Sequence, residues 1–353
     1  MVTADTVRKA NATYYSSRPL IAVLVGATSG IGEHSARTLA KIYSTSSQPL
    51  RLYIVGRNAA AAGKIIADCS AVCPNGTFRF VKADDLTLIK DVDKVCADLM
   101  KVERDAAVQK GDVARIDVLL MTQGQLNFGG RQETSEGLDR SLSLIYYSRI
   151  RFILQLQPLL AASENPAHVI SVFGAGLEGP LHLSDLSLRD PKNYGLVRQR
   201  SHNAHFTTMA FEHLAREYPD LSFVHVFPGL VVTPAFSDPT FPWWVKVVWA
   251  VAGPLVRLFF AVSEEEAGER MVFLATERFV PAADAADKDK MGKVVDGTDG
   301  KRGSGAYAVG QDGEVVKAKV DYPKLREEGF EKVVWEHTMK AFQEIEGGRK
   351  FTG

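Results

Sequence analysis

The stretch VLVGATSGIGEHSARTLA, residues 23–40, carries three glycines at the spacing G-x-x-x-G-x-G: Gly26, Gly30 and Gly32. An apolar run precedes the first glycine and an amphipathic stretch follows the last, which predicts a strand that turns directly into a helix. In such a turn the first glycine permits the tight bend, the second lets the backbone approach a pyrophosphate, and the third lets helix and strand pack closely. Free N–H groups at the helix start bind the anion. The stretch therefore predicts a dinucleotide-binding loop.

Working outward, apolar runs of strand length alternate with helix-length amphipathic stretches along the whole chain. The predicted strands are 20–25, 50–55, 77–81, 116–121, 168–173, 222–227 and 305–309. The predicted helices are 30–45, 58–72, 87–110, 136–161, 200–218, 264–277 and 322–345. Continuous Val/Ile/Leu runs of this kind are typical of a parallel sheet covered on both faces. We therefore expect an α/β fold, a Rossmann-type doubly wound parallel sheet in a single domain with a helical lid and a C-terminal extension.

Four segments follow from this pattern. We expect an N-terminal tail over 1–17, a nucleotide-binding Rossmann core over 18–235, a substrate lid over 236–280, and the final strand with a C-terminal helical extension over 281–353. The charged, Gly-rich stretch 282–305 is expected to be a surface excursion.

The lid contains FPWWVKVVWAVAGPLVRLFFAV, residues 241–262, which is long enough to span a bilayer. Lys246, Arg257 and the Gly253-Pro254 break interrupt it, and a charge at bilayer depth is costly. The pattern favours two short helices that pack over the cleft, with Trp243, Trp244 and Trp249 partly lining a pocket. Peripheral membrane contact is the alternative, and no integral span is expected.

Composition narrows the class of ligand. The 353 residues contain 42 Lys+Arg and 42 Asp+Glu, so the formal net charge is zero and no global field attracts nucleic acid. A small, largely apolar ligand is favoured. Cys69, Cys73 and Cys96 provide neither a disulfide framework nor a zinc site, so we expect no metal. The first residues lack the apolar region of a signal peptide, which favours a cytoplasmic protein with reduced thiols.

The glycine motif resembles that of the short-chain dehydrogenases/reductases, differing at Val25, where threonine is usual, and the resemblance covers roughly residues 20–235. It implies adenine contacts at Asp85 and Leu86. It places Thr122-Gln123-Gly124 where the family has Asn-Ala-Gly, and the turn HVFPGLVVT puts Val231 and Thr233 near the nicotinamide carboxamide. The full set of implied cofactor-binding residues outside the second strand is Gly26, Thr28, Ser29, Gly30, Ile31, Gly32, Asp85, Leu86, Gln123, Gly124, Val231 and Thr233.

The end of the second strand indicates which dinucleotide binds. Folds that bind NAD place a carboxylate there to accept a hydrogen bond from the ribose 2′-hydroxyl. Gly56 occupies that position, and Arg57 follows with a guanidinium able to pair with a 2′-phosphate. A solvated loop arginine is the alternative, but the pattern favours NADP(H).

The catalytic positions of the family are unfilled. Its dehydrogenases use a Tyr, a Lys four residues later, a Ser and an Asn. Register along the helix MAFEHLAREY places the Tyr position on Arg200 and the Lys position on Ala204, and the strand HVISVF places the Ser position on Gly174. Counting from Glu136-Gly137-Leu138 places the Asn position on Ile145. We therefore expect Arg200 to point into the cleft and to polarise a substrate oxygen.

Other side chains near these positions remain candidates. Asn203 shares the Arg200 face of the helix at 100° per residue, whereas His202 and His205 do not and are expected to pack or lie at the surface. Tyr194 begins a Y-x-x-x-R pattern six residues upstream of Arg200. Tyr146, beside the lost Asn position, offers another phenol.

The stretches SLRDPKNYG, residues 187–195, and AHFTTMAFEHLA, residues 204–215, with the tail GFEKVVWEHTMKAF, residues 329–342, resemble a divergent branch of the family from filamentous fungi. Members of that branch often belong to secondary-metabolite gene clusters. Three hypotheses follow. The first is an NADP-dependent oxidoreductase that acts on a hydrophobic small molecule with a rearranged proton donor. The second is a non-redox enzyme on the same fold, such as a cyclase, isomerase or dehydratase. The third is an NADP-binding pseudoenzyme. The resemblance also implies a homo-oligomer.

Overall fold

The computed structural model describes residues 2–233, 241–259, 261–286, 294–317 and 320–353. The strands within these ranges are β1 Leu20–Val25, β2 Leu50–Gly56, β3 Thr77–Lys82, β4 Val118–Met121, β5 Ala167–Val172, β6 Leu221–Val226, β7 Leu230–Val231, β8 Ala261–Val262 and β9 Ala306–Val309. Seven of them form a parallel sheet with the order β3-β2-β1-β4-β5-β6-β9, and β7 pairs with β8 in a separate small sheet. The predicted Rossmann-type sheet is confirmed.

Helices cover both faces of this sheet. They are α1 Ala4–Tyr15, α2 Gly30–Tyr43, α3 Ala59–Val72, α4 Ile89–Lys110, α5 Arg140–Leu142, α6 Ser148–Ala161, α7 Leu196–Glu217, α8 Trp243–Phe259, α9 Glu264–Phe273, α10 Tyr322–Glu327 and α11 Phe330–Glu346. One hydrophobic core lies under α1, α2, α3 and α9, and the other lies under α4, α6, α7 and α11. Burial on both sides explains why strands such as LIAVLV contain no alternating polar residues.

The strand order reverses between β1 and β4, which are neighbours in the sheet although two strands separate them in the chain. Val25, the last residue of β1, lies opposite Val55 of β2 and Met121 of β4. A doubly wound sheet leaves a crevice outside the carboxyl ends of its strands at such a switch point. The glycine-rich loop begins at this edge, directly after Val25.

The segment predicted as an N-terminal tail contains a packed helix. Thr3 caps α1 by accepting from the Thr6 N–H, and the i, i+4, i+8 residues Val7, Asn11 and Tyr15 are buried on one face. Asn11 Nδ2 donates to the Glu269 carbonyl at 2.9 Å, and the Tyr15 hydroxyl donates to the Val272 carbonyl at 2.9 Å. Residues 4–15 are therefore a structural part of the domain that packs on α9.

The predicted pair of short helices in 241–262 is wrong, because α8 runs through Gly253-Pro254 as one helix. A proline removes one helical hydrogen bond but does not have to end a helix whose apolar pattern continues. Trp243 and Trp244 are 76% and 50% exposed. The place of these two residues and of Trp249 in a substrate pocket stays a prediction. The Trp244 ring packs edge-to-face on the ring of Phe128, in the loop after β4, with 6.1 Å between the ring centroids.

Helix α8 lies between β7 and β8 in the chain. These two strands pair with each other, and Val231 lies opposite Val262. Residues 236–240 and 260 of the predicted lid lie outside the described residues, as do 287–293 of the predicted surface excursion. Among the described helices, none combines the length and the apolar character needed to cross a bilayer.

Removing the Tyr15 hydroxyl tests whether α1 is integral to the fold. Tyr15→Phe removes the hydrogen bond from α1 to the Val272 carbonyl, which keeps the Ala275 N–H as a donor, so the free energy of unfolding should fall by about 0.5–1.5 kcal/mol. Lys9→Ala is the matched control on the same helix, since its ion pair with Asp5 is exposed and worth almost nothing. Urea unfolding of both variants measures the difference; equal midpoints would show that α1 frays independently of the domain.

Candidate functional site

The glycine-rich loop has a backbone that side chains would block. Gly26 has φ +82°, and a Cβ on it would lie 2.6 Å from the Gln123 backbone nitrogen. Gly30 has φ +58°, and a Cβ on Gly32 would lie 2.7 Å from the Ala27 Cα. Two of the three glycines therefore adopt left-handed backbone that L-residues avoid. The third allows α2 to start in contact with the loop.

The N-terminus of α2 is left without a side-chain cap. Ser29 precedes the helix in extended conformation and makes no capping hydrogen bond, although serine is a favoured capping residue. The first N–H groups of α2, at Gly30, Ile31 and Gly32, therefore point out of the helix with no intrahelical partner. Together with the helix dipole they form an anion-binding end at the carboxyl edge of β1.

The position after β2 has no room for the acid of an NAD-binding fold. A Cβ on Gly56 would lie 2.6 Å from Thr28 Cγ2, so a carboxylate there would collide with the glycine-rich loop. Arg57 follows and is exposed. Among the residues that the structure describes, it has neither an ion pair nor a side-chain hydrogen bond. The guanidinium is free to meet an anion at the N-terminus of α3.

The residues expected around the adenine lie at the ends of β3 and β4. The Asp85 carboxylate accepts from the Thr87 N–H and hydroxyl and from Arg140 Nη2 at 3.1 Å, and these partners keep its pKa below the usual value despite partial burial. Leu86 is buried and Gly124 is exposed. Gln123 is buried, and its Oε1 accepts no hydrogen bond from a described residue.

The turn after β6 closes the crevice opposite the loop. Val231 is buried. If Gly30 carried a Cβ, that atom would lie only 2.9 Å from Thr233 Cγ2, so Thr233 packs closely on the glycine-rich loop. Gly229, with φ +81°, would bring a Cβ within 2.2 Å of Gln311 Oε1, so the turn needs glycine. The structure thus brings the 229–233 turn against the glycine-rich loop, as the family resemblance implies for the nicotinamide end.

Two of the four aligned catalytic positions, those of Arg200 and Gly174, lie side by side. If Gly174 carried a Cβ, that atom would lie 3.8 Å from Arg200 Cγ. Arg200, aligned with the Tyr position, and Gly174, aligned with the Ser position, are therefore neighbours. Ala204 and Ile145 are buried. The Arg200 side chain is half-buried, its Nε is buried with no hydrogen-bond partner among the described residues, and it takes part in none of their ion pairs. On the register expected from the family resemblance, this guanidinium takes the place of a phenol.

Tyr194 is held in a different cluster. Its hydroxyl donates to Asp139 Oδ2 at 3.0 Å and accepts from Asn127 Nδ2 at 3.0 Å. Burial and the Asp139 charge raise its pKa above the usual value of a phenol, which makes it a poorer acid. The six-residue shift that would bring Tyr194 into the Tyr position is not favoured by these contacts.

Tyr146 is a correction. Its side chain is only 1% exposed, and its hydroxyl is 2.7 Å from Thr338 Oγ1 of α11. The phenol therefore points into the core under the C-terminal extension, where no substrate reaches it. The sequence around Tyr146 could not show this burial, because Thr338, which contacts its hydroxyl, lies 192 residues later in the chain.

The α7 histidines pack, as expected. His202 Nε2 accepts from the His182 N–H at 3.0 Å, and burial lowers the His202 pKa to about 4, so it is neutral at pH 7. His205 Nε2 lies 3.1 Å from the Gly179 carbonyl. Asn203, one turn beyond Arg200, is fully buried, and neither of its amide atoms has a hydrogen-bond partner among the described residues.

Two buried groups under the cleft were not singled out by sequence reasoning. Arg149 on α6 donates to the Gln123 and Val172 carbonyls, and His225 of β6 accepts from the Gly174 N–H at 3.1 Å. Burial, with the charge of Arg149 as a smaller cause, lowers the His225 pKa to about 3, so it stays neutral. The sequence did contain a sign that Arg149 is buried, because this arginine lies within the largely apolar stretch IYYSRIRFIL, residues 145–154.

A cavity of about 640 Å³ lies behind the loop after β5, and not over the glycine-rich loop. Glu178, Thr208 and Tyr322 contribute polar groups to it, and Val316 contributes an apolar wall. None of the expected cofactor-binding residues lines it. In the same ranges, no cluster of three or more His, Cys, Asp or Glu is placed to hold a metal ion.

Comparisons with known proteins agree with this geometry. No family model matches the chain. It is 36% identical over 358 aligned positions to "Short-chain dehydrogenase/reductase SAT2" of Stachybotrys chartarum, which covers 98% of each chain. It is 35% identical to "Oxidoreductase AN1596" of Emericella nidulans, covering 96% of this chain and 97% of that protein.

Solved structures share the fold. The RhlG/NADP active-site complex of Pseudomonas aeruginosa matches with a TM-score of 0.51 at 20% identity, covering 74% of this chain and 91% of that one. MalC Reductase/Diels-Alderase of Malbranchea aurantiaca matches with a TM-score of 0.53 at 17% identity, covering 73% and 90%.

Gly32→Ala tests the close packing of the loop on α2. The new Cβ would lie 2.7 Å from the Ala27 Cα, so helix and loop must separate and both stability and NADPH affinity should fall. Gly63→Ala in α3 is the control, because its Cβ meets nothing within 4 Å and replacing a helical glycine should stabilise by about 0.5–1 kcal/mol. Thermal melts and NADPH titrations of both variants provide the readout. Unchanged affinity in Gly32→Ala would contradict the assignment of the loop.

Proposed function

Because this chain belongs to the short-chain dehydrogenase/reductase family, we propose that it is an NADP-dependent oxidoreductase that reduces a carbonyl or enone, or oxidises the corresponding alcohol, in a hydrophobic small molecule. The observation that carries the proposal is the loop after β2, where Gly56 excludes a carboxylate and Arg57 offers a free guanidinium. When bound, NADPH supplies the hydride.

The described residues fit this cofactor. The uncapped start of α2 and the glycine cradle would hold the pyrophosphate. Arg57 would pair with the 2′-phosphate, and the turn at Val231 and Thr233 would meet the nicotinamide end. Asp85 and Leu86 would border the adenine. Each of these contacts is proposed from the position of the residue at the carboxyl edge of the sheet.

Arg200 is the residue that we propose for the chemistry. An arginine stays protonated and cannot serve as an ordinary general acid, but it donates hydrogen bonds to an oxygen that gains negative charge. Its side chain lies beside Gly174, which has no side chain to fill the space. Asn203, buried on the same helix with unpaired amide atoms, is a second donor for the same region. Proton delivery would then fall to water or to the substrate.

A non-redox reaction is the second candidate, because no phenol stands at the Tyr position and no ammonium at the Lys position. A guanidinium that polarises a carbonyl can also stabilise an enolate in an isomerisation, dehydration or cyclisation. One experiment separates the two: purified protein is incubated with NADPH and a panel of ketones and enones. Consumption of NADPH supports the oxidoreductase; altered products with NADPH intact support the second candidate.

The setting of the enzyme is part of the proposal. Its three free cysteines are buried, which suits a reducing compartment, and we place it in the cytoplasm. The resemblance to enzymes of fungal secondary metabolism favours a role there, and the family resemblance favours a homo-oligomer. The exposed tryptophans of α8 leave peripheral membrane contact as an alternative for that helix.

Arg57→Ala should weaken NADPH binding about tenfold or more, since a hydrogen bond to a charged group contributes about 1.5–3 kcal/mol. NADH binding should change little, because NADH has no 2′-phosphate. Arg349→Ala, which removes an equally exposed charge in the C-terminal segment, is the control. Titration of both nucleotides against each variant measures the effect. Equal losses for NADPH and NADH, or tighter NADH binding by the unaltered protein, would contradict the role of Arg57.

Arg200→Ala should lower kcat by about 100-fold or more on whichever ketone or enone the panel identifies, because a preorganised donor in a dry site contributes about 3–4 kcal/mol. NADPH affinity should be unchanged. Arg198→Ala is the control on the same helix, since its guanidinium donates to the Lys192 carbonyl at 2.5 Å. If Tyr194→Phe abolished turnover while Arg200→Ala did not, the conventional tyrosine mechanism would replace this one.

A further inference from the structure

Arg149 is a charged side chain in an unusually apolar place. It lies on α6, directly after the π-helical turn Ser143–Tyr147, and it is 2% exposed. Nη1 donates to Ser171 Oγ at 2.7 Å and to the Val172 carbonyl at 3.0 Å, and Nη2 donates to the Gln123 carbonyl at 2.5 Å. All three acceptors are neutral.

No carboxylate balances this charge within the described ranges, where Arg149 takes part in no ion pair and its Nε has no acceptor. Burial lowers its pKa to about 9, so the guanidinium remains charged at pH 7. Arg151, two residues later on the same helix, contrasts with it: Arg151 pairs with Asp93 at 2.5 Å and with Glu346 at 2.6 Å. A buried charge without a counter-ion is costly, which favours a function for it.

The guanidinium lies under the floor of the cleft. The Gln123 carbonyl that it binds belongs to the residue whose backbone nitrogen contacts Gly26 of the glycine-rich loop. The Val172 carbonyl lies two residues before Gly174, the neighbour of Arg200. Arg149 therefore joins the carboxyl ends of β4 and β5 between the cofactor loop and the aligned catalytic positions. His225, the nearby titratable group, is neutral there.

We propose that Arg149 makes this cleft prefer the reduced cofactor, because its unbalanced positive charge disfavours the cationic nicotinamide of NADP⁺ relative to the neutral ring of NADPH. The inference rests on the proposed NADP(H) site. Arg149 would thus be an electrostatic positioning residue that favours reduction over oxidation without touching the substrate. Two unit charges roughly 10 Å apart at an effective dielectric constant of about 20 change a binding constant by about tenfold.

The test compares dissociation constants of NADPH and NADP⁺ for the full chain, measured by calorimetry. The unaltered protein should bind NADPH at least about tenfold more tightly than NADP⁺. Arg149→Met, which keeps the length of the side chain and removes the charge, should reduce that ratio about tenfold. Arg149→Lys should keep most of the ratio, because the charge remains while the forked hydrogen bonds are lost.

Two controls separate charge from structure. Arg151→Met removes a charge that Asp93 and Glu346 already balance, so the ratio should not change. Adenosine 2′,5′-diphosphate lacks the nicotinamide, so its affinity should be the same in Arg149→Met as in the unaltered protein. If Arg149→Met weakened NADPH and NADP⁺ equally, Arg149 would only tie β4 to β5 and the inference would be overturned.

The outcomes also distinguish this inference from the proposed function. If neither nucleotide bound to the unaltered protein, the NADP(H) site itself would be wrong. If both bound with equal affinity, the site would stand and the role of Arg149 would fail. Should Arg149→Met not fold, the ratio in the unaltered protein and in Arg149→Lys still decides, since equal affinities in both would overturn the inference.

Discussion

The close approach of two backbones at the switch point is the constraint on which the site depends. Gly26 comes so near to the Gln123 nitrogen that any side chain on it would overlap the end of β4. This contact sets the direction in which the chain leaves β1 and therefore where α2 begins. The same Gln123 offers its carbonyl to Arg149, so the glycine-rich loop, the central strands and the buried charge form one connected unit. Neighbouring elements, including the turn that carries Thr233, pack against that unit.

In the proposed mechanism, charge replaces proton chemistry in this cleft. The family resemblance aligns the phenol, ammonium, hydroxyl and amide positions with Arg200, Ala204, Gly174 and Ile145, while the hydroxyls of Tyr146 and Tyr194 are hydrogen-bonded to Thr338 and Asp139. The histidines beneath the site, His202 and His225, are kept neutral by burial. What remains is a pair of guanidiniums, one half-buried beside the substrate region and one fully buried below it. Such a site is suited to stabilising negative charge and not to supplying a proton.

Local patterns predicted the repeating elements well, since a strand buried on both faces must be apolar and a glycine-rich turn has few alternatives. They failed where a distant partner decides the outcome. Residues 4–15 looked like a tail because their burial depends on α9, and Tyr146 looked accessible because α11 lies far away in sequence. The Gly253-Pro254 pair suggested a break, yet α8 continues through it, because local propensity is weaker than the pattern of the whole helix.

By itself the sequence determined the Rossmann-type sheet, the glycine-rich loop and the absence of an acid after β2. Each of these follows from residue type and short-range spacing. Only the tertiary structure decided that Arg200 adjoins Gly174, that Tyr146 is buried under α11, and that Arg149 has no counter-ion among the described residues. The reason is physical: burial and charge balance are properties of surroundings assembled from distant parts of the chain, and no spacing within one helix encodes them.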